Sequence, residues 1–108
     1  MTFDHVATEC NDISGTIDFY LQHFADVDVL YQDNSWAFLS VCGARIALVT
    51  PSEHPPHICF RVETRDELQR LADEHNRPVK LHRDRSESFY FTDPNGNVIE
   101  IVWYPPAT

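Results

Sequence analysis

His5, His57 and Glu100 are the residues of this 108-residue chain whose types and placement point to chemistry. Two imidazoles and one carboxylate make a donor set suited to a borderline divalent ion such as Zn, Mn, Fe, Co or Ni. A single histidine on a strand is ordinarily a hydrogen-bonded polar residue and no more. Glu100 is the stronger signal, being the only charged residue in Val98-Ile99-Glu100-Ile101-Val102-Trp103. A carboxylate buried without a partner costs several kcal/mol, on the order given for buried ions. It needs a cation, and two histidines at matching points of a repeat favour a metal over an arginine. His23, His54, His75 and His82 are expected on the surface or in linkers.

The elements that must carry these residues come in an order that repeats. Phe3–Thr8 is expected as a strand. Asp12 is placed to cap a helix running to about Phe24, with Ile13, Ile17, Tyr20 and Phe24 on one face. Val27–Tyr31 alternates as a strand, with Val27, Val29 and Tyr31 on one side. Trp36–Cys42 and Arg45–Thr50 form a hairpin around Gly43. Residues 51–56 (Pro-Ser-Glu-His-Pro-Pro) read as a linker, because consecutive prolines forbid helix. The order then restarts. His57–Val62 is a strand, and Thr64 with Glu67 makes a capping box for a helix to about His75, with Leu68, Leu71 and Ala72 inward. Val79–Arg83 is a weak strand after Pro78. Ser88–Thr92 and Val98–Trp103 are strong ones, joined by the turn Asp93-Pro94-Asn95-Gly96-Asn97.

Each half is therefore βαβββ. His57 follows His5 by 52 positions. Ser35-Trp36-Ala37-Phe38 matches Ser88-Phe89-Tyr90-Phe91 at an offset of 53, and Gly43–Val49 matches Gly96–Val102 at the same offset. One helix covers one sheet face in each half, expected to be that of Val6, Ile46 and Leu48, and of Ile58, Ile99 and Ile101. Strand side chains alternate, so His5, Ala47, His57 and Glu100 belong to the opposite, concave face. Ala47 cannot ligate, which leaves coordination positions open for water or substrate. Tyr90 is a candidate to donate a proton or orient a substrate, or a half-buried strand aromatic. Arg45 and Arg61 share the parity of Ala47 and His57 and are candidates to meet an anionic substrate. Trp36 and Phe38 form an apolar wall or core, and Cys59 lines the cup or sits in the core.

The net charge is −9, with 17 acidic and 8 basic residues, which argues against nucleic acid as a partner. Hydrophobic residues make up 43 %, enough for a compact core. No apolar run is long enough for a membrane span and no signal peptide is evident, so a cytoplasmic location is expected. The cysteines, Cys10, Cys42 and Cys59, are odd in number and widely spaced, which argues against a disulfide framework or a cysteine zinc site. Two or three of them are expected as small buried residues.

The paired modules, His5, His57 and the segment Phe91-Thr92-Asp93-Pro94-Asn95-Gly96-Asn97-Val98-Ile99-Glu100 resemble the vicinal-oxygen-chelate superfamily. Its members include glyoxalase I, methylmalonyl-CoA epimerase, extradiol dioxygenases, fosfomycin-resistance proteins and bleomycin-binding proteins. The resemblance implies an α+β fold of paired βαβββ modules forming a metal-binding cup, one domain over residues 1–108. Module 1 spans about 1–50 and module 2 about 57–104. Glyoxalase I and the epimerase have a ligand at all four cup positions, where this chain has Ala47. Ligands at only the positions of His5, His57 and Glu100 make the fosfomycin-resistance type the nearest pattern. Ser86, Glu87, Ser88 and Tyr90 match its potassium loop and substrate tyrosine, with a shorter loop. Ala7 replaces the family's threonine, and no arginine follows Glu100.

These readings imply a metal-dependent lyase, isomerase or transferase acting on a small oxygen-chelating substrate through one divalent ion. His5, His57 and Glu100 would be the ligands, Tyr90 a catalytic group, and Arg45, Arg61, Ser88 and Trp36 substrate contacts. The alternatives are a sequestering protein without chemistry and an Fe(II) extradiol-type dioxygenase. Pro51, Pro55 and Pro56 stiffen the linker and disfavour folding the second module straight back on the first. The expectation is a homodimer that exchanges modules, with His5 from one chain and His57 and Glu100 from the other.

Overall fold

Two side-chain caps start the helices. Asp12 Oδ1 accepts from Gly15 N at 3.1 Å and opens α1 (Ile13–His23). Thr64 Oγ1 accepts from Glu67 N at 3.1 Å and opens α2 (Arg65–Glu74). Each satisfies an amide that the first helical turn leaves without a partner, a contribution of about 1 kcal/mol. The strands are β1 (Thr2–Glu9), β2 (Val27–Gln32), β3 (Trp36–Val41), β4 (Ala44–Val49), β5 (His57–Arg61), β6 (Lys80–Leu81), β7 (Glu87–Thr92) and β8 (Val98–Trp103). This computed structural model describes residues 1–107. The fold is mixed α+β, each half running βαβββ as the sequence implies. The chain divides into two compact units, one of His5–His57 and one of Met1–Asp4 with Ile58 onward.

In the unit of His5–His57 the strand order is β2-β3-β4-β1, with β1 and β4 parallel and the others antiparallel. Helix α1 sets Ile13 and Ile17 against Ala37, Leu39, Val41 and Leu48, with Ile46 packed alongside. The other face carries a core cluster of Ala7, Ala47 and Val49 with Trp36 and Phe38 packed against it. The β3–β4 hairpin turns through Cys42 (φ 52) and Gly43 (φ 84). Two left-handed residues in a two-residue loop match the natural strand twist, and glycine adopts that conformation without a steric penalty. Strand β2 departs from the expected alternation. A register shift between Val29 and Tyr31 puts Val29 beside Leu39 and Tyr31 beside Phe38. Tyr31 thus leaves the side of Val27 and stacks on Trp36 at 4.7 Å. One extra residue at a bulge reverses the facing of everything after it.

The second unit repeats the arrangement as β5-β8-β7-β6, with β5 and β8 parallel. Val62, Leu68, Ala72, Phe89 and Ile101 form its core. Ile58 lies on the same side but is 40 % exposed, so it adds less than expected. The weak strand expected over residues 79–83 shortens to Lys80–Leu81. Asp93 orders the β7–β8 turn by accepting from the amides of Asn95 (2.8 Å) and Asn97 (2.9 Å).

The pairings correct the repeat in one place. Phe38 faces Ala47, and Tyr90 faces Glu100. With Ala47 and Glu100 equivalent, Phe38 corresponds to Tyr90 at an offset of 52, not to Phe91 at 53. The first strands also match at 52, since Val6 pairs with Ile46 and Ile58 with Ile99. The shift to 53 arises in the turns: Cys42-Gly43 within one hairpin is replaced by the longer Asp93–Asn97 connection in the other. Aromatic similarity between Trp36-Ala37-Phe38 and Phe89-Tyr90-Phe91 suggests the wrong register, because sheet parity and not residue type decides equivalence.

Candidate metal centre

His5 and His57 are both buried, and their Nε2 atoms lie 3.3 Å apart. His57 Nδ1 is 2.7 Å from the carbonyl oxygen of Pro55. A carbonyl only accepts, so Nδ1 carries the proton and a neutral His57 presents a lone pair at Nε2. The linker prolines thus have a local use: Pro55 supplies the oxygen that sets the tautomer. Phe38 packs edge-on against the His5 ring at 5.3 Å. Histidines that bind a metal ordinarily donate their other ring nitrogen to a carbonyl, a carboxylate or water, as His57 does to Pro55.

Glu100 is buried on β8, opposite Tyr90 on one side and Cys59 on the other. Tyr90 donates its hydroxyl to the Glu100 carboxylate. Burial, and then the charge of Glu100, hold the Tyr90 proton well above the usual phenol range. The same two causes push the fully buried Cys59 thiol up. Cys59 therefore sits on the Glu100 face as a fully buried core residue.

His82 lies in the β6–β7 connection, as a linker residue, but it is only part-exposed and makes polar contacts inward. Its Nε2 is 2.7 Å from Ser88 Oγ and 3.9 Å from Glu100 Oε2. The signal that could have found it is the Asp84-Arg85-Ser86 turn. Asp84 Oδ1 accepts from Ser86 N at 2.9 Å and folds His82 back onto β7. The segment matched to the potassium loop makes contacts of its own. Ser86 is bound to Asp84, Glu87 forms an ion pair with Arg65 at 2.9 Å, and Ser88 is fully buried behind His82. Ser88 Oγ thus meets the His82 imidazole from within the unit.

The remaining expected residues lie on the expected strand faces. Trp36 and Phe38 share the face of Ala47, and Arg45 sits exposed over the Phe38 ring at 5.6 Å. Arg61 alternates with Cys59 and His57 along β5. His5 and His57 belong to one unit and Glu100 to the other, and each of the three is buried.

No protein-family model matches the sequence. Several solved structures do share the fold. The methylmalonyl-CoA epimerase of Streptomyces coelicolor superposes with a TM-score of 0.74 at 17% identity, covering 99% of this chain and 96% of that one. The Mycobacterium tuberculosis epimerase gives 0.69 at 21% identity, over 97% and 89%. A glyoxalase/bleomycin resistance protein/dioxygenase superfamily member from Vibrio splendidus 12B01 gives 0.68 at 17% identity, over 94% and 99%. This chain has the vicinal-oxygen-chelate fold. Within that fold Ala47 and Glu100 stand at equivalent strand positions of the two halves, one inert and one able to ligate. Among the described residues no helix is long and apolar enough to cross a membrane.

Proposed function

We propose that the chain is a metal-dependent enzyme of the vicinal-oxygen-chelate type. His5, His57 and Glu100 share one divalent ion, and the substrate is a small oxygen-bearing molecule. The observation that carries this reading is the histidine pair. Two nitrogens bound to one tetrahedral ion at about 2.05 Å each would stand about 3.3 Å apart. The His5 and His57 Nε2 atoms are separated by 3.3 Å, the span of two ligands of one ion and also a distance at which the two imidazoles can hydrogen-bond. The buried Glu100 carboxylate supplies the negative charge that a divalent cation calls for.

A divalent ion held there supplies a Lewis acid for substrate oxygens and for the negative charge that develops on them. Pro55 and Phe38 hold the imidazoles in place. Tyr90, protonated at neutral pH, is a hydrogen-bond donor that can orient a substrate oxygen near Glu100. His82, steadied by Ser88, is a second proton-handling group on the same side. Ala47, the counterpart of Glu100, leaves room for substrate where a fourth ligand would stand. The iron-dependent dioxygenase reading is favoured by one feature: His82 and Tyr90 flank Glu100, so that His82 could take the hydroxyl proton of a catechol-like diol while Tyr90 donates a hydrogen bond to its oxygen.

Elemental analysis of protein purified without added metal is expected to give about one divalent ion per chain, as a single site requires. Iron together with dioxygen uptake on catechol would select the second reading. A chain that stays metal-free after incubation with Zn, Mn, Co, Ni and Fe(II) would sink both, leaving non-catalytic ligand sequestration. The proposal includes a homodimer, supported by the large apolar side chains left exposed on each unit, Phe3 and Ile58 on one and Phe19 and Leu30 on the other. Sedimentation velocity at micromolar concentration should report about twice the 12.5 kDa chain mass, and a monomer there would reject it.

A further inference from the structure

Arg61 is built into its place more firmly than an exposed arginine needs to be. Its guanidinium carbon lies 5.0 Å from the centre of the Tyr104 ring. Tyr104 in turn donates its hydroxyl to Asp4 Oδ2 at 2.9 Å, and Asp4 is buried. Burial, with the Asp4 carboxylate next, keeps the Tyr104 hydroxyl protonated, so this donor persists across the ordinary pH range. The carboxylate thus engages the tyrosine, and the ring holds the arginine by its π face. A guanidinium stacked in this way keeps its five N–H donors in the plane of the fork, free to meet an anion edge-on.

Its position is as specific as its support. Arg61 pairs with Val102 on β8, and Cys59 pairs with Glu100. Arg61 is therefore on the Glu100 face, two residues further along, about 6.6 Å by the rise of a strand. The chain carries 17 acidic and only 8 basic residues, so an anionic substrate meets an unfavourable field unless one cation is fixed at the site. Arg65 and Arg70 are engaged by Glu87 and Glu74. Lys80 lies in the same row of the sheet as Arg61, through Ser88 and Val102, but on the edge strand.

We infer that Arg61, positioned by Tyr104 and Asp4, is the anion-recognising residue of the site. The substrate class is a short molecule with an oxygen function at the Glu100 end and a carboxylate or phosphate a few bonds away. The inference names the substrate class for the function proposed above and rests on that reading for its chemistry, but anion recognition itself needs no metal.

The test is therefore run on chelator-treated, metal-free protein, following the Arg61 Nε–Hε and Tyr104 ring signals by NMR. The probes are 4-hydroxybutyrate, 3-hydroxypropyl phosphate and the uncharged 1,4-butanediol. Both anions, or one of them, should shift the signals saturably, and the stronger binder shows whether carboxylate or phosphate is preferred. The diol should not saturate. Arg61→Gln, monitored through Tyr104, should weaken anion binding at least about tenfold, the scale of a hydrogen bond to a charged group. Tyr104→Phe, which cuts the link to Asp4, should weaken it less. Lys80→Gln, with the same loss of charge, should leave it unchanged. Equal affinity in Arg61→Gln, or an equal loss in Lys80→Gln, would overturn the inference. His57→Ala, which removes a proposed metal ligand, should retain the anion response, so failure of the metal site and failure of Arg61 read out separately.

Discussion

His57→Ala is expected to lower affinity for a divalent ion by at least about 100-fold, the upper end of the loss from disturbing a ligand's supporting residue alone. The change removes one nitrogen of the 3.3 Å pair and leaves the Pro55 carbonyl facing a methyl group. Glu100→Gln should act similarly, since it keeps the size of the side chain and removes its charge. The readout is titration calorimetry on chelator-treated protein, with circular dichroism to confirm that each variant is folded. His23→Ala, at the exposed end of α1, serves as the control and should bind as the parent does. Parent-like isotherms for both His57→Ala and Glu100→Gln would mean that any ion binds elsewhere.

The largest effect on stability is expected at Phe89. It is the largest of the fully buried side chains, packed within the core of Val62, Leu68, Ala72 and Ile101 and 5.7 Å from Phe91. Phe89→Ala should cost about 3–5 kcal/mol, from lost transfer energy and the cavity left behind. In a domain of this size that is a large part of the total stability, and urea unfolding should show it as a much lower midpoint. A loss below about 1 kcal/mol would show that the helix α2 side of β7 is not closely packed. The strand itself links this core to chemistry, because Ser88 and Tyr90 on either side of Phe89 point to the Glu100 face.

Much of this arrangement was legible in the residues. The lone charge in Val98–Trp103 marked Glu100, and alternation along β8 put it opposite the core-facing Ile99 and Ile101. Asp12 and Thr64 announced their helices because capping is local chemistry, decided within three residues. What was not legible depended on contacts between segments. The bulge at Leu30 has no residue signature in Val27–Gln32, yet it moves Tyr31 to the other face. His82 looked like a solvated residue because the strand before it is only two residues long. Its partner Ser88 comes within reach only once the Asp84 turn has closed. Residue likeness also misled where parity ruled, in matching Phe38 to Phe91 when the sheet pairs it with the position of Tyr90.

The longer of the two hairpin turns shows where a repeated module can change length without changing its working face. A residue gained within β7 or β8 would have rotated every later side chain by half a turn, sending Glu100 into the oily side of the sheet and an isoleucine into its place. In the loop held by Asp93, an added residue is absorbed by a turn that solvent already surrounds. Loops of this kind let the two halves differ in length while their working faces stay in step. Single positions can then differ by themselves, and at one such pair one half has alanine and the other glutamate.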